Sequence, residues 1–260
     1  MSSGTEFKGQ VAIITGGASG LGAAIAARLA SDAMHVVLAD TDEERGQSVA
    51  DDLREAGLGA DYETCDVTQE GEVAALVDSV VERQGTLNHL ICSAAIETRA
   101  SLLDTSNDDW QRILDVNLKG PFLCMKHAIP AIANGGGGSV VLLGSVLGFI
   151  GQPGYSAYSA SKGALANLMK QAAIENAAAG VRVNLVSPSA TDTGLFMKMA
   201  EATGNPEAII DMVTRNSPMR RLGTSQEVSD TVAFLCSPGA AYISGAVIPL
   251  DGAMAARRIV

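Results

Sequence analysis

Residues 11–30 read "VAIITGGASGLGAAIAARLA", and the spacing of the apolar residues changes halfway along. The first five are apolar or β-branched, as a strand buried on both faces requires. From Leu21 onward the apolar residues fall at helical intervals. The turn between them holds Gly16, Gly20 and Gly22 in a G-x-x-x-G-x-G pattern. Glycines at such a turn let the backbone reverse tightly, approach a pyrophosphate closely and present helix N-terminal N–H groups to its charge. Ser19 adds a hydroxyl donor, and Leu21 lies in the same loop-to-helix step. A glycine-rich turn without a ligand is the plainer reading of three glycines; the place between a first strand and a first helix favours a dinucleotide.

Outward from this unit the alternation continues. Strands are expected at 36–40, just before Cys65, and at 89–92, 140–144, 181–187 and 246–250. Helices are expected at about 42–56, 69–83, 107–133, 156–179 and 225–236. Repeated strand–helix units imply right-handed crossovers, hence an α/β fold: a doubly wound parallel sheet of about seven strands with helices on both faces. No linker divides the chain, so residues 1–260 are read as a single domain; only 188–224 breaks the rhythm, with several Pro and Gly.

Asp40 ends the second strand about twenty residues beyond the glycines, where a carboxylate can accept both hydroxyls of an adenosine ribose. "DTDEE" (40–44) supplies three further acids before the first base, Arg45, so a 2′-phosphate would meet repulsion there. NAD is therefore expected in preference to NADP. Asp66, after the third strand, could meet the adenine ring with Val67 packing nearby.

A net charge of −11 with no basic run argues against nucleic acid and anionic membranes as partners, since nothing would neutralise phosphates. Cys65, Cys92, Cys124 and Cys236 are scattered, three of them in apolar runs, and read as reduced core thiols of a cytoplasmic protein. "MSSGTEFKGQ" (1–10) lacks the apolar core of a signal peptide, and no uncharged apolar run has membrane-spanning length. No metal is expected.

In "YSAYSASK" (155–162), Lys162 follows Tyr158 by four residues and Tyr155 by seven, one and two helical turns along one face. An ammonium about 5 Å from a phenol, at an effective dielectric near 20, favours the phenolate by roughly 3 kcal/mol, or about two pKa units. Tyr158 is expected to be acidic enough to serve as a base.

With "CDV" (65–67), "NLKG" (117–120), "GS" (144–145), "YSASK" (158–162), "NLVSP" (184–188) and "PLDG" (249–252) following the glycine loop in order, the chain resembles the short-chain dehydrogenase/reductase family over essentially its whole length. The resemblance implies a Rossmann-type domain, a small-molecule substrate and a homotetramer, or else a homodimer. Within that family Tyr-x-x-x-Lys marks alcohol dehydrogenases and carbonyl reductases, and a seven-residue spacing marks enoyl reductases. Ser145 stands thirteen residues before Tyr158, the family's interval for the serine that binds the reacting oxygen, so Tyr158 is favoured and Tyr155 is expected to line the cleft. The resemblance further gives Lys162 a grip on the nicotinamide ribose, and Thr191 and Thr193 contacts to the carboxamide and phosphates. Asn117 would end a water-linked proton relay. If 113–125 is one helix, its carbonyl faces Pro121, which has no N–H to give.

The sequence also departs from the family. "CSAA" (92–95) stands where Asn-Asn-Ala-Gly is usual: Ser93 offers a hydroxyl in place of an amide, Ala94 stays among the cofactor contacts, and Ala95 lacks glycine's freedom at positive φ. Ser189 likewise replaces a glycine. A substrate-covering lobe is expected at about 190–222, and Leu147, Gln152, Tyr155, Ser189, Leu195 and Phe196 are the candidate pocket residues. Lys198, Arg215, Arg220 and Arg221 are cations there able to meet one carboxylate. The reading is hydride transfer between NAD(H) and a mid-sized, largely apolar secondary alcohol or ketone, cyclic ones included. Its alternatives are a 3-oxoacyl-thioester reductase and a non-catalytic NAD-binding or sensing protein.

Overall fold

A computed structural model describes residues 7–256, so most of the polar stretch read for targeting lies outside it. Seven strands form one sheet: β1 (Val11–Thr15), β2 (His35–Asp40), β3 (Ala60–Thr64), β4 (His89–Cys92), β5 (Gly138–Leu143), β6 (Val181–Pro188) and β7 (Val247–Leu250). Their order across the sheet is β3-β2-β1-β4-β5-β6-β7, and every pairing is parallel. The helices are α1 (Gly20–Ser31), α2 (Glu43–Glu55), α3 (Glu70–Gln84), α4 (Asn107–Leu114), α5 (Gly120–Asn134), α6 (Ser156–Asn176), α7 (Gly194–Ala202), α8 (Pro206–Asn216) and α9 (Ser225–Cys236).

Strand period decides which helix each side chain meets. Val11 and Ile13 of β1, Val37 of β2 and Val140 and Leu142 of β5 join a core with α3, α5 and α6. The residues one step out of phase, Ala12, Ile14, Val36, Leu38 and Val141, join a second core with α1, α2 and α9. Two-sided burial explains why these strands read as unbroken apolar runs. The strand order reverses between β1 and β4, and ligands of open parallel sheets bind at the carboxyl ends beside such a reversal. The glycine loop after β1 and the "CSAA" segment after β4 meet there.

Two stretches take a form the alternation alone does not give. The helical region expected at 107–133 is continuous but takes in a π-turn at Asp115–Lys119, with the Gly120 N–H donating to the Asp115 carbonyl. The Pro- and Gly-rich stretch 188–224 folds into α7 and α8, capped by Thr193 and Asn205 side chains that accept from Phe196 and Ala208 N–H groups. All four cysteines are free and buried. Among the described residues no helix is long and apolar enough to cross a membrane.

Candidate active site

The glycine loop has the shape its sequence asks for. Gly16 and Gly20 have φ of +70° and +55°. A Cβ on Gly22 would lie 2.0 Å from the Gly16 carbonyl oxygen, and one on Gly16 would lie 2.7 Å from the Ala94 Cα. A Cβ on Gly20 would meet nothing within 4 Å, so the loop's open side faces away from the protein. Ser19 sits at the N-cap of α1 without a side-chain capping bond, and the first turn carries no acid. Leu21 packs partly into the second core. Asp40 accepts from the Ala18 N–H, 3.1 Å, which holds its carboxylate against this loop. An open glycine cradle, an uncapped helix start and an adjacent carboxylate fit a dinucleotide: phosphates at the N–H groups, ribose at Asp40.

Across the reversal, the Ser93 N–H donates to the Thr15 carbonyl (3.2 Å) and the Ala94 N–H to the Thr15 hydroxyl (3.4 Å). Ala95 is absent from the three non-glycine residues with positive φ, Ala33, Arg220 and Ala253. The glycine-to-alanine departure therefore costs no backbone strain. Asp66 turns its carboxylate back onto the Thr68 N–H, 2.9 Å, and Val67 is buried against Gly120. Thr191 is buried and donates to the Ser189 carbonyl, 3.0 Å, while Thr193 caps α7.

Ser145, Tyr158 and Lys162 come together where β5 ends. Ser145 follows the last strand residue by two, accepts from the Leu147 N–H at 3.2 Å, and draws the Tyr158 phenol down in pKa. Lys162 is 3 % exposed, lies 5.5 Å from the Tyr158 ring centroid and donates to the Leu143 carbonyl at 2.8 Å. Tyr155 is buried too, edge-on to Tyr158 at 6.1 Å between centroids. Lys162 thus stands beside the tyrosine four residues before it. Leu147, Ser189 and Phe196 are half-buried around this edge and Gln152 is exposed; the Leu195 side chain lies outside what is described.

The expected acidification of Tyr158 is not what the structure shows. Burial pushes the phenol up to about 12; the Ser145 hydroxyl opposes this, and Glu97 and Tyr155 add to it. Burial also brings Lys162 down to about 8. An attraction at an effective dielectric near 20 counts only the pair, whereas burial also penalises the charged form of each partner.

Asn117 is fully buried and acts first as a clamp. Its Oδ1 accepts from the Ile96 N–H (2.8 Å), and its Nδ2 donates to the Ile96 carbonyl (2.9 Å) and the Ser161 hydroxyl (3.3 Å). Sequence reasoning missed Glu97 and Arg99, which follow this anchor. Nothing in their spacing marks them; the Ala100–Tyr155 β-bridge brings them to the site. The Arg99 guanidinium carbon lies 5.0 Å from the Tyr155 ring centroid.

A family model described as enoyl-(acyl carrier protein) reductase matches residues 16–254. The chain is 39% identical over 250 residues to the cis-4-hydroxycyclohexanecarboxylate dehydrogenase of Sinomonas cyclohexanicum, covering 96% of this chain and 98% of that protein. It is 34% identical to the 2,5-dichloro-2,5-cyclohexadiene-1,4-diol dehydrogenase LinX of Sphingobium indicum, over 95% and 96% of the two chains. Among solved structures, an NAD+-bound xylitol dehydrogenase superposes with a TM-score of 0.90 at 31% identity, over 95% of this chain and 99% of that one. The chain belongs to the short-chain dehydrogenase/reductase family. As such it is an oxidoreductase acting on CH–OH groups with a nicotinamide cofactor.

Proposed function

We propose that this protein is an NAD-dependent dehydrogenase of a mid-sized, largely apolar, cyclic secondary alcohol, with Tyr158 as its proton-transfer residue. The observation that carries the reading is the gathering of Ser145, Tyr158 and Lys162 at the carboxyl end of β5, with the buried Lys162 ammonium 5.5 Å from the Tyr158 ring centroid. Bound NAD supplies the two-electron acceptor of the reaction. Its phosphates would be held by the loop of Gly16, Ser19, Gly20 and Gly22, and its adenosine ribose by Asp40. Ser145 would bind the substrate oxygen and steady its developing charge. Tyr158 takes the hydroxyl proton in oxidation and returns it in reduction. Lys162 and Asn117 position this group, the first from beneath the phenol and the second through the Ile96 loop. Two relatives named for ring-bearing alcohols support a cyclic substrate, and the NAD+-bound neighbour and Asp40 support NAD over NADP.

Because burial holds the phenol protonated at neutral pH, alcohol oxidation should quicken as pH rises from about 6 toward 10, while ketone reduction stays flat or falls. Steady-state rates with cyclic alcohols and NAD+ across this range test the reading. Tyr158→Phe should lower kcat by about 10²- to 10⁴-fold with NAD affinity retained. NAD binding without turnover of any alcohol or ketone would favour the sensing protein instead. Turnover of a 3-oxoacyl thioester with NADPH in preference to cyclic ketones would favour the acyl reductase.

A further inference from the structure

The loop after β4 carries charge to a place the catalytic reading does not use. It is pinned at one end by Asn117, through both polar atoms of its amide to the Ile96 backbone. At the other end the Ala100 N–H donates to the Gly154 carbonyl, 3.1 Å, beside the Ala100–Tyr155 bridge. Between these anchors Arg99 lays its guanidinium on the Tyr155 ring. The Tyr155 ring in turn meets the Tyr158 ring edge-on. A cation therefore stands one aromatic ring away from the reacting phenol, with spacings of 5.0 Å and 6.1 Å in succession. Of the cations read from sequence, Arg215 pairs with Asp211 (2.7 Å) and Arg221 with Glu227 (2.5 Å) on the covering lobe. Arg220 donates to the Arg215 carbonyl, 3.2 Å, and the Lys198 side chain lies outside the description.

We propose that Arg99 is the specificity-determining residue that receives a carboxylate on the end of the substrate opposite its reacting hydroxyl. The inference rests on the dehydrogenase reading and deepens it. A six-membered ring with hydroxyl and carboxylate on opposite carbons sets one ring's width between its polar ends, the same order as the single Tyr155 ring that lies between Arg99 and Tyr158. Arginine's planar fork suits a carboxylate, and the aromatic face beneath it fixes the fork's plane. Glu97, two residues earlier and exposed, is the opposing charge: it acts on both tyrosines and would repel an anion, which sets against neutral substrates a smaller bias than Arg99 alone would give.

Two measurements separate this inference from the reading beneath it. Cyclohexanecarboxylate has no hydroxyl to oxidise, so its affinity for the full-length protein with NAD+, by calorimetry, reports anion recognition without turnover. Arg99→Gln should weaken it by about 10- to 100-fold, Arg99→Lys should recover part of the loss, and Glu97→Gln should tighten binding. Equal affinity in wild type and Arg99→Gln, or no binding by wild type, would overturn the proposal. Turnover of cis-4-hydroxycyclohexanecarboxylate against its carboxamide is the second readout, and Arg99→Gln should cut the ratio of their kcat/KM values by a similar factor. Carboxylate binding that depends on Arg99, with no alcohol oxidised, would uphold the anion site and sink the dehydrogenase reading.

Discussion

Lys162 places a positive charge where water barely reaches, and the fold carries the cost. The folded protein holds this proton less tightly than an unfolded chain, whose lysine titrates near 10.5. Stability withheld by the group below about pH 8 is thus regained as pH climbs from 8 toward 10.5. The penalty at neutral pH is about 3 kcal/mol, offset in Lys162→Met by roughly 1 kcal/mol for the orphaned Leu143 carbonyl. Lys162→Met should therefore melt about 5 °C higher while losing most of its turnover. A lower melting temperature would show that the ammonium stabilises the fold. The identity and grouping of Ser145, Tyr158 and Lys162 could be read from spacing alone, because four residues on a helix fix a distance. Their titration could not, since it depends on how much protein closes over them.

At the scale of elements, the π-turn at Asp115–Lys119 is the sharpest departure from a regular reading. Pro121 warned that the helical ladder fails near Asn117, but a missing N–H cannot say whether the helix kinks, ends or takes in an extra residue. The structure takes the last course, and the Asn117 side chain clasps the Ile96 backbone. Asn117→Leu leaves one buried donor and one acceptor unpaired and should cost about 3 kcal/mol. Chemical denaturation would measure that loss, and turnover should fall further than NAD affinity. A variant of unchanged stability would mean that the clasp is dispensable. The helices α7 and α8 were hidden for a different reason: Pro206 looked like a breaker, yet it opens α8, where a missing N–H costs nothing.

Across the whole molecule, a parallel sheet of about seven strands with helices on both faces follows from alternation and handedness, and so was legible before any coordinate. The order of its strands, and hence the reversal that gathers the site, was not, because alternation alone does not say which strands become neighbours. Asp40 tests the link between topology and cofactor. Asp40→Ala should raise KM for NAD+ by about tenfold and erase most of the preference over NADP+, read from paired steady-state titrations. An unchanged ratio would move the discrimination to other acids of 40–44. Arg99 was illegible because its neighbours in space come from a bridge that spans 55 residues, Ala100 to Tyr155, which no local pattern encodes. That bridge and the Asn117 clasp leave only Glu97, Thr98 and Arg99 between two fixed posts. Such a triplet can be rewritten without disturbing the sheet, so diversification of substrate taste within this architecture has a ready-made cassette in which to occur.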